Sequence, residues 1–147
     1  MSQQKVYVHQ QFPVSVVRLF EFLSIHENLD VLFAPVKSKL LKNGVATPYG
    51  VGSVRQMQSP LGSFQETITV SEPHKRIEYK VTQGSPIKNH HGVMVFEGDA
   101  QRSSLDYTIF FEGKFPLIGA MVRIGLQRTV SQGLAKLAAA KLDIKLM

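Results

Sequence analysis

Polar and apolar residues alternate along much of this chain, and where the alternation stops the spacing turns helical. "KVYVHQQF" (5–12) alternates and is rich in β-branched and aromatic residues, so it reads as a first strand. Pro13 then opens "PVSVVRLFEFLS", where Val16, Val17, Leu19, Phe20 and Leu23 make a helical stripe. Proline suits a first helical turn because its missing N–H would find no intrahelical partner there. "IHENLDVLFAP" reads as a short second helix or an irregular turn, stopped by Pro35.

From residue 36 to about 113 the pattern predicts six strands: "VKSKLLKNG", "GSVRQMQSP", "GSFQETITVSEP", "RIEYKVTQGSP", "KNHHGVMVFEGD" and "SSLDYTIFFEGK". Asn43-Gly44, Pro60-Leu61-Gly62, Glu72-Pro73-His74, Gly84-Ser85-Pro86 and Gly98-Asp99 mark breaks between them. Breaks this short favour antiparallel neighbours. The tail, 116–143, holds good helix formers and no proline after Pro116, which predicts one helix of six or seven turns. Strand, two short helices, six strands and a long helix is an α+β order.

Alternation also assigns faces. If Arg55 points inward, so do Ser53 and Met57; Phe64, Glu66, Ile68 and Val70 share that side, followed by Ile77, Tyr79 and Val81, then Leu105, Tyr107, Ile109 and Phe111. The opposite faces carry solvent-suited residues such as Gln65, Thr67, Glu78, Lys80 and Asp106. An arginine and a glutamate thus fall among apolar side chains. Either they form a buried structural pair or their face lines something other than a dry core. His90 shares a side with Gly92, Met94 and Phe96, whereas His91 lies with Val93 and Val95; the aromatic side is read as inward.

Composition narrows the choices. The chain has 147 residues, 44% hydrophobic and 19% charged, which suits one globular domain burying about two-thirds of its unfolded surface. It has no cysteine, which excludes disulfides, thiolate catalysis and cysteine-based zinc sites and fits a cytoplasmic protein. The first twelve residues lack the pattern of a secretion signal, and no stretch is apolar enough for a membrane span. His9 reads as exposed or at an edge, and His26 has no partners at metal-ligand spacing; no metal or cofactor is expected. "GVGSVR" has the look of a dinucleotide fingerprint but lacks the third glycine and leads into a strand.

The order and spacing of these pieces resemble the helix-grip superfamily of START-domain and birch-pollen-allergen-like proteins (SRPBCC). The most similar part of it is the bacterial polyketide cyclase/dehydrase and lipid-transport group. The resemblance rests on Pro13 after strand one, "GVGSVRQM", "GSFQETITVSEPHKRIEYKV", "HHGVMVF", and "SSLDYTIFFEG" before a long terminal helix. It covers nearly the whole chain and implies one domain, 1–147. The implied fold is a seven-stranded curved antiparallel sheet wrapped around the C-terminal helix, with a cavity between them for an apolar small molecule. Alternation and resemblance together give expected walls of Phe33, Met57, Phe64, Tyr79, Met94, Tyr107, Phe111, Met121 and Gly125. Arg55, Glu66 and His90 are the expected polar fixtures.

The expected function is binding of a small hydrophobic molecule (lipid, polyketide or isoprenoid-like) as carrier or sensor. An alternative is a cyclase/dehydrase-type enzyme using His90, Glu66 and Tyr107 for acid–base chemistry. A second alternative is a protein-interaction module acting on a chaperone or ribosome. "LIGAMVRIGL" (117–126) is apolar on almost every side, which leaves a partner subunit open, and Gly119, Gly125 and Gly133 suggest close approaches or kinks. Arg128, Lys136, Lys141 and Lys145 against Asp143 place much of the +6 net charge in the tail. Solvated charges or transient contact with an anionic membrane surface both account for them. Nucleic acid is not expected, because no recognition motif appears.

Overall fold

The protein is seen in a computed structural model that describes residues 3–60, 62–84, 87–113 and 115–146. The elements are β1 (Gln3–Phe12), α1 (Val16–Ser24), a 3₁₀ turn (His26–Leu29), α2 (Asp30–Phe33), β2 (Lys37–Lys42), β3 (Val54–Ser59), β4 (Gly62–Glu72), β5 (Arg76–Gln83), β6 (Ile87–Gly98), β7 (Ser103–Gly113) and α3 (Pro116–Ala139). The seven strands make one curved antiparallel sheet in the order β1-β7-β6-β5-β4-β3-β2, with α3 against its inner face: the helix-grip arrangement.

Several local expectations need correction. Helix α1 starts later than Pro13 suggests, because Ser15 takes the N-cap and its Oγ accepts from the Arg18 N–H at 3.1 Å. Val17 then faces solvent, while Leu19, Phe20 and Leu23 are buried. In β4 the register slips between Ile68 and Val70, so Val70 pairs with outward Glu78 and Ser71 takes the place opposite inward Ile77. Val70 therefore leaves the inner face to which strict alternation assigns it.

A second slip shapes the site. In β6 the pairing jumps from Lys88↔Glu112 to His91↔Phe110, with Asn89 in the left-handed region at φ 49. Two residues, Asn89 and His90, thus span the place of one, and the strand's phase changes across them. Below the bulge Ile87 is buried and Lys88 exposed; above it Gly92, Met94 and Phe96 are buried. The bulge is what lets Ile87 and His90 face the same side.

Helix α3 is packed unevenly. Val130, Leu134 and Leu137 are fully buried, and the helix lies on β1, β7 and α2. In its first half Val122 and Leu126 are only partly buried, and Leu117, Met121 and Ile124 are exposed. A Cβ on Gly113 would overlap the backbone of Gly119, so β7 and the start of α3 touch main chain to main chain. The helix stops at Ala139 rather than 143, because Lys141 and Leu142 turn left-handed at φ 54 and 64. The Leu142 N–H donates to Leu137 O at 3.0 Å and the Lys141 N–H to Ala138 O at 3.1 Å, a Schellman ending, with Leu142 folded into the core.

Candidate ligand-binding cavity

In the hairpin of β3 and β4, Arg55 pairs with Glu66 and Met57 with Phe64, all directed inward. Arg55 is 2% exposed and Glu66 3%. Arg55 Nε donates to Glu66 Oε1 at 2.7 Å, and its guanidinium carbon lies 4.5 Å from the centre of the Tyr79 ring. Burial opposes the arginine's charge, but the Glu66 carboxylate together with the Tyr79 and Tyr107 hydroxyls holds the guanidinium pKa above its ordinary value.

Arg55 has a second partner that the sequence did not reveal. Its NH1 lies 3.1 Å from Nδ1 of the fully buried His26, whose Nε2 lies 3.2 Å from Ser53 Oγ. A guanidinium can only donate, so Nδ1 accepts and Nε2 carries the proton toward serine. Burial, aided by the Arg55 charge, lowers the His26 pKa to about 3. Beyond it the Tyr49 ring meets His26 edge-on at 4.9 Å. Behind the cavity the Tyr79 and Tyr107 hydroxyls are 2.6 Å apart, and burial raises both pKa values. The Tyr79 ring lies across Gly92, where any Cβ would overlap it.

Next to this cluster a cavity of about 460 Å³ opens between the sheet and the first half of α3. Its walls are Phe33, Val36, Met57, Phe64, Tyr79, Ile87 and Ile109, closed on the helix side by Val122 and Leu126. Glu66 and His90 also line it, with Ser59, Gly62 and Ser63 from the hairpin tip. The imidazole of His90 stands among Phe64, Tyr79 and Phe111, with ring centres 6.0–6.4 Å away. Its Nδ1 is buried with no hydrogen-bond partner among the described residues. Burial holds its pKa below the ordinary histidine value, and Arg55 adds to this while Glu66 opposes it. A neutral ring with an orphaned nitrogen therefore faces an apolar cavity.

Of the residues expected at the site, Phe33, Met57, Phe64, Glu66, Tyr79 and His90 line this cavity. Arg55, Met94, Tyr107, Phe111, Met121 and Gly125 are not part of its lining. Arg55 is sealed off by Glu66, Tyr79 and His26. Met94, Tyr107 and Phe111 are fully packed in the core, and Tyr107 also meets the Phe33 ring edge-on. Met121 is 68% exposed and Gly125 faces open space, because α3 turns the neighbouring Val122 and Leu126 to the cavity. Steps of three and four residues back from Leu137 through Gly133 and Val130 reach Leu126 and Val122; that spacing was the available signal. Of the three acid–base candidates, His90 and Glu66 share the cavity and Tyr107 does not.

The remaining histidines and clefts have local explanations. His9 is exposed and its Nδ1 lies 2.8 Å from Asp106, which the Tyr7 hydroxyl also bonds. His91 stacks on Phe110 on the outer face. No group of three or more acidic or histidine side chains gathers among the described residues. A wider cleft of about 710 Å³ runs between Gln11–Pro13 and the hairpin around Arg102, but it is open and its Asp99 carboxylate is already bonded to the Gln101 and Arg102 N–H groups.

Residues 3–140 match the family described as polyketide cyclase / dehydrase and lipid transport. Among curated proteins, none matches the chain. Solved structures share its fold at low identity. The protein XoxI from Bacillus cereus is 17% identical with a TM-score of 0.71, over 99% of both chains. Norcoclaurine synthase from Thalictrum flavum, solved with dopamine and hydroxybenzaldehyde, is 11% identical with a TM-score of 0.66, over 94% of this chain and 87% of that one. Ara h 8.0201 is 12% identical with a TM-score of 0.61, over 92% and 99%.

Proposed function

Because the chain belongs to the polyketide cyclase/dehydrase and lipid-transport family, we propose that it binds a small hydrophobic molecule in the cavity under α3, as a carrier or sensor. The observation that carries this reading is the cavity itself: about 460 Å³, walled by aromatic and aliphatic side chains, with the buried Nδ1 of His90 unbonded among the described residues. Its volume falls in the usual range for small-molecule sites, and so does its pattern of many apolar groups with a few polar ones. Binding is favoured over turnover because the Tyr107 hydroxyl, the third acid–base candidate, is bonded to Tyr79 behind the cavity wall.

The test is native mass spectrometry of the protein purified from its source, followed by denaturing extraction. The expected result is a stoichiometric hydrophobic adduct, reduced in V122W, in which the indole intrudes on the cavity from the helix side. An empty wild-type protein that also fails to enhance the fluorescence of N-phenyl-1-naphthylamine, a neutral apolar probe, would overturn the reading.

A further inference from the structure

The polar groups that reach the cavity are unequal in charge. Glu66 lines it, whereas its cationic partner Arg55 does not, and no lysine or arginine is among the described lining residues. A ligand therefore meets the negative end of the Arg55–Glu66 ion pair, with the guanidinium set behind it. Repulsion in a poorly screened site disfavours any anionic head group. Besides Ser59 and Ser63 at the hairpin tip, the polar side chain on offer is His90, which lines the cavity and whose buried Nδ1 has no partner among the described residues. A buried nitrogen left unmet calls for an explanation, and a hydrogen-bonding ligand in the adjoining cavity supplies one. Whichever tautomer the ring adopts, a hydroxyl group satisfies it, because a hydroxyl both donates and accepts.

Given that the cavity is a binding site, as proposed above, we infer that its ligand is a neutral apolar alcohol or phenol whose hydroxyl bonds His90 Nδ1. Fatty acids, phosphorylated lipids and other anions are excluded from the same position. The bulge at Asn89–His90 serves this selection, since it directs His90 and Ile87 together into the cavity while Lys88 is turned to solvent.

Three probes of one shape separate the alternatives: 2-naphthol, 2-methylnaphthalene and 2-naphthoate, titrated near neutral pH against wild type and H90F. A net hydrogen bond corresponds to roughly tenfold in affinity. The wild-type preference for naphthol over methylnaphthalene should therefore fall about tenfold in H90F. Retained methylnaphthalene binding shows that the variant's cavity is intact. In wild type, naphthoate should bind at least about tenfold more weakly than naphthol. Naphthoate binding as tightly as naphthol, or a naphthol preference unchanged in H90F, would overturn the inference while leaving the cavity a binding site. If none of the three binds wild type, the proposed function fails and this inference with it.

Discussion

Arg55, Glu66 and His26 share one problem: each carries or can carry charge, and each is buried, with no more than 3% of its surface exposed. Removing one member leaves an unpaired buried charge, so E66L should lose about 3–5 kcal/mol in urea unfolding. The double variant R55M/E66L should recover most of that loss, because the pair's desolvation cost disappears along with its attraction. His26 adds a pH dependence. The unfolded imidazole takes its proton below its ordinary value of 6.5, whereas the folded one resists until about 3. Between those values the unfolded chain holds the extra proton, so stability falls as pH drops through that window. The slope due to His26 is about 1.4 kcal/mol per pH unit. H26Q, whose amide oxygen can still accept from Arg55, should flatten the wild-type curve by that amount, measured by urea unfolding at successive pH values. An unchanged slope would place the titrating group elsewhere.

At the scale of elements, departures from regularity do the positioning. The Tyr79 ring occupies the space a Cβ on Gly92 would take, so G92A should cost about 1–3 kcal/mol through overpacking, and trimming the ring in G92A/Y79L should relieve part of it. At the far end, K141G should raise stability by about 0.5–1 kcal/mol, since lysine there occupies a left-handed conformation that glycine adopts freely. Calorimetric melting checks both. These features also mark the limit of what was legible in sequence. The succession of strands along the chain, the inward Arg55–Glu66 pair and the inward row from Leu105 to Phe111 follow from two-residue alternation, which register enforces wherever one face is buried. Val70 escaped that rule because a bulge resets the phase and carries no composition of its own. His26 escaped it because its partners, Ser53 and Arg55, lie some thirty residues away in another element. The cavity face of α3 escaped it because residues 117–126 are apolar all round, so that Met121 and Val122 look equally eligible.

Across the whole molecule, α3 presents two apolar surfaces. Val122 and Leu126 close the cavity, while Leu117, Met121 and Ile124 face solvent on the other side of the same turns. Among the described residues, no helix is long and apolar enough to cross a membrane. Because the outer row is exposed, M121K should change stability by less than about 0.5 kcal/mol, whereas V122K, which sets a charge against the cavity, should prevent probe binding. The account turns on which of the two surfaces a hydrophobic molecule chooses. The decisive measurement is NMR with methyl-labelled isoleucine, leucine and valine in the presence of 2-naphthol. The account predicts intermolecular NOEs from the naphthol ring to Ile87, Ile109, Val122 and Leu126. NOEs confined to Leu117 and Ile124 on the outer face of α3 would contradict it.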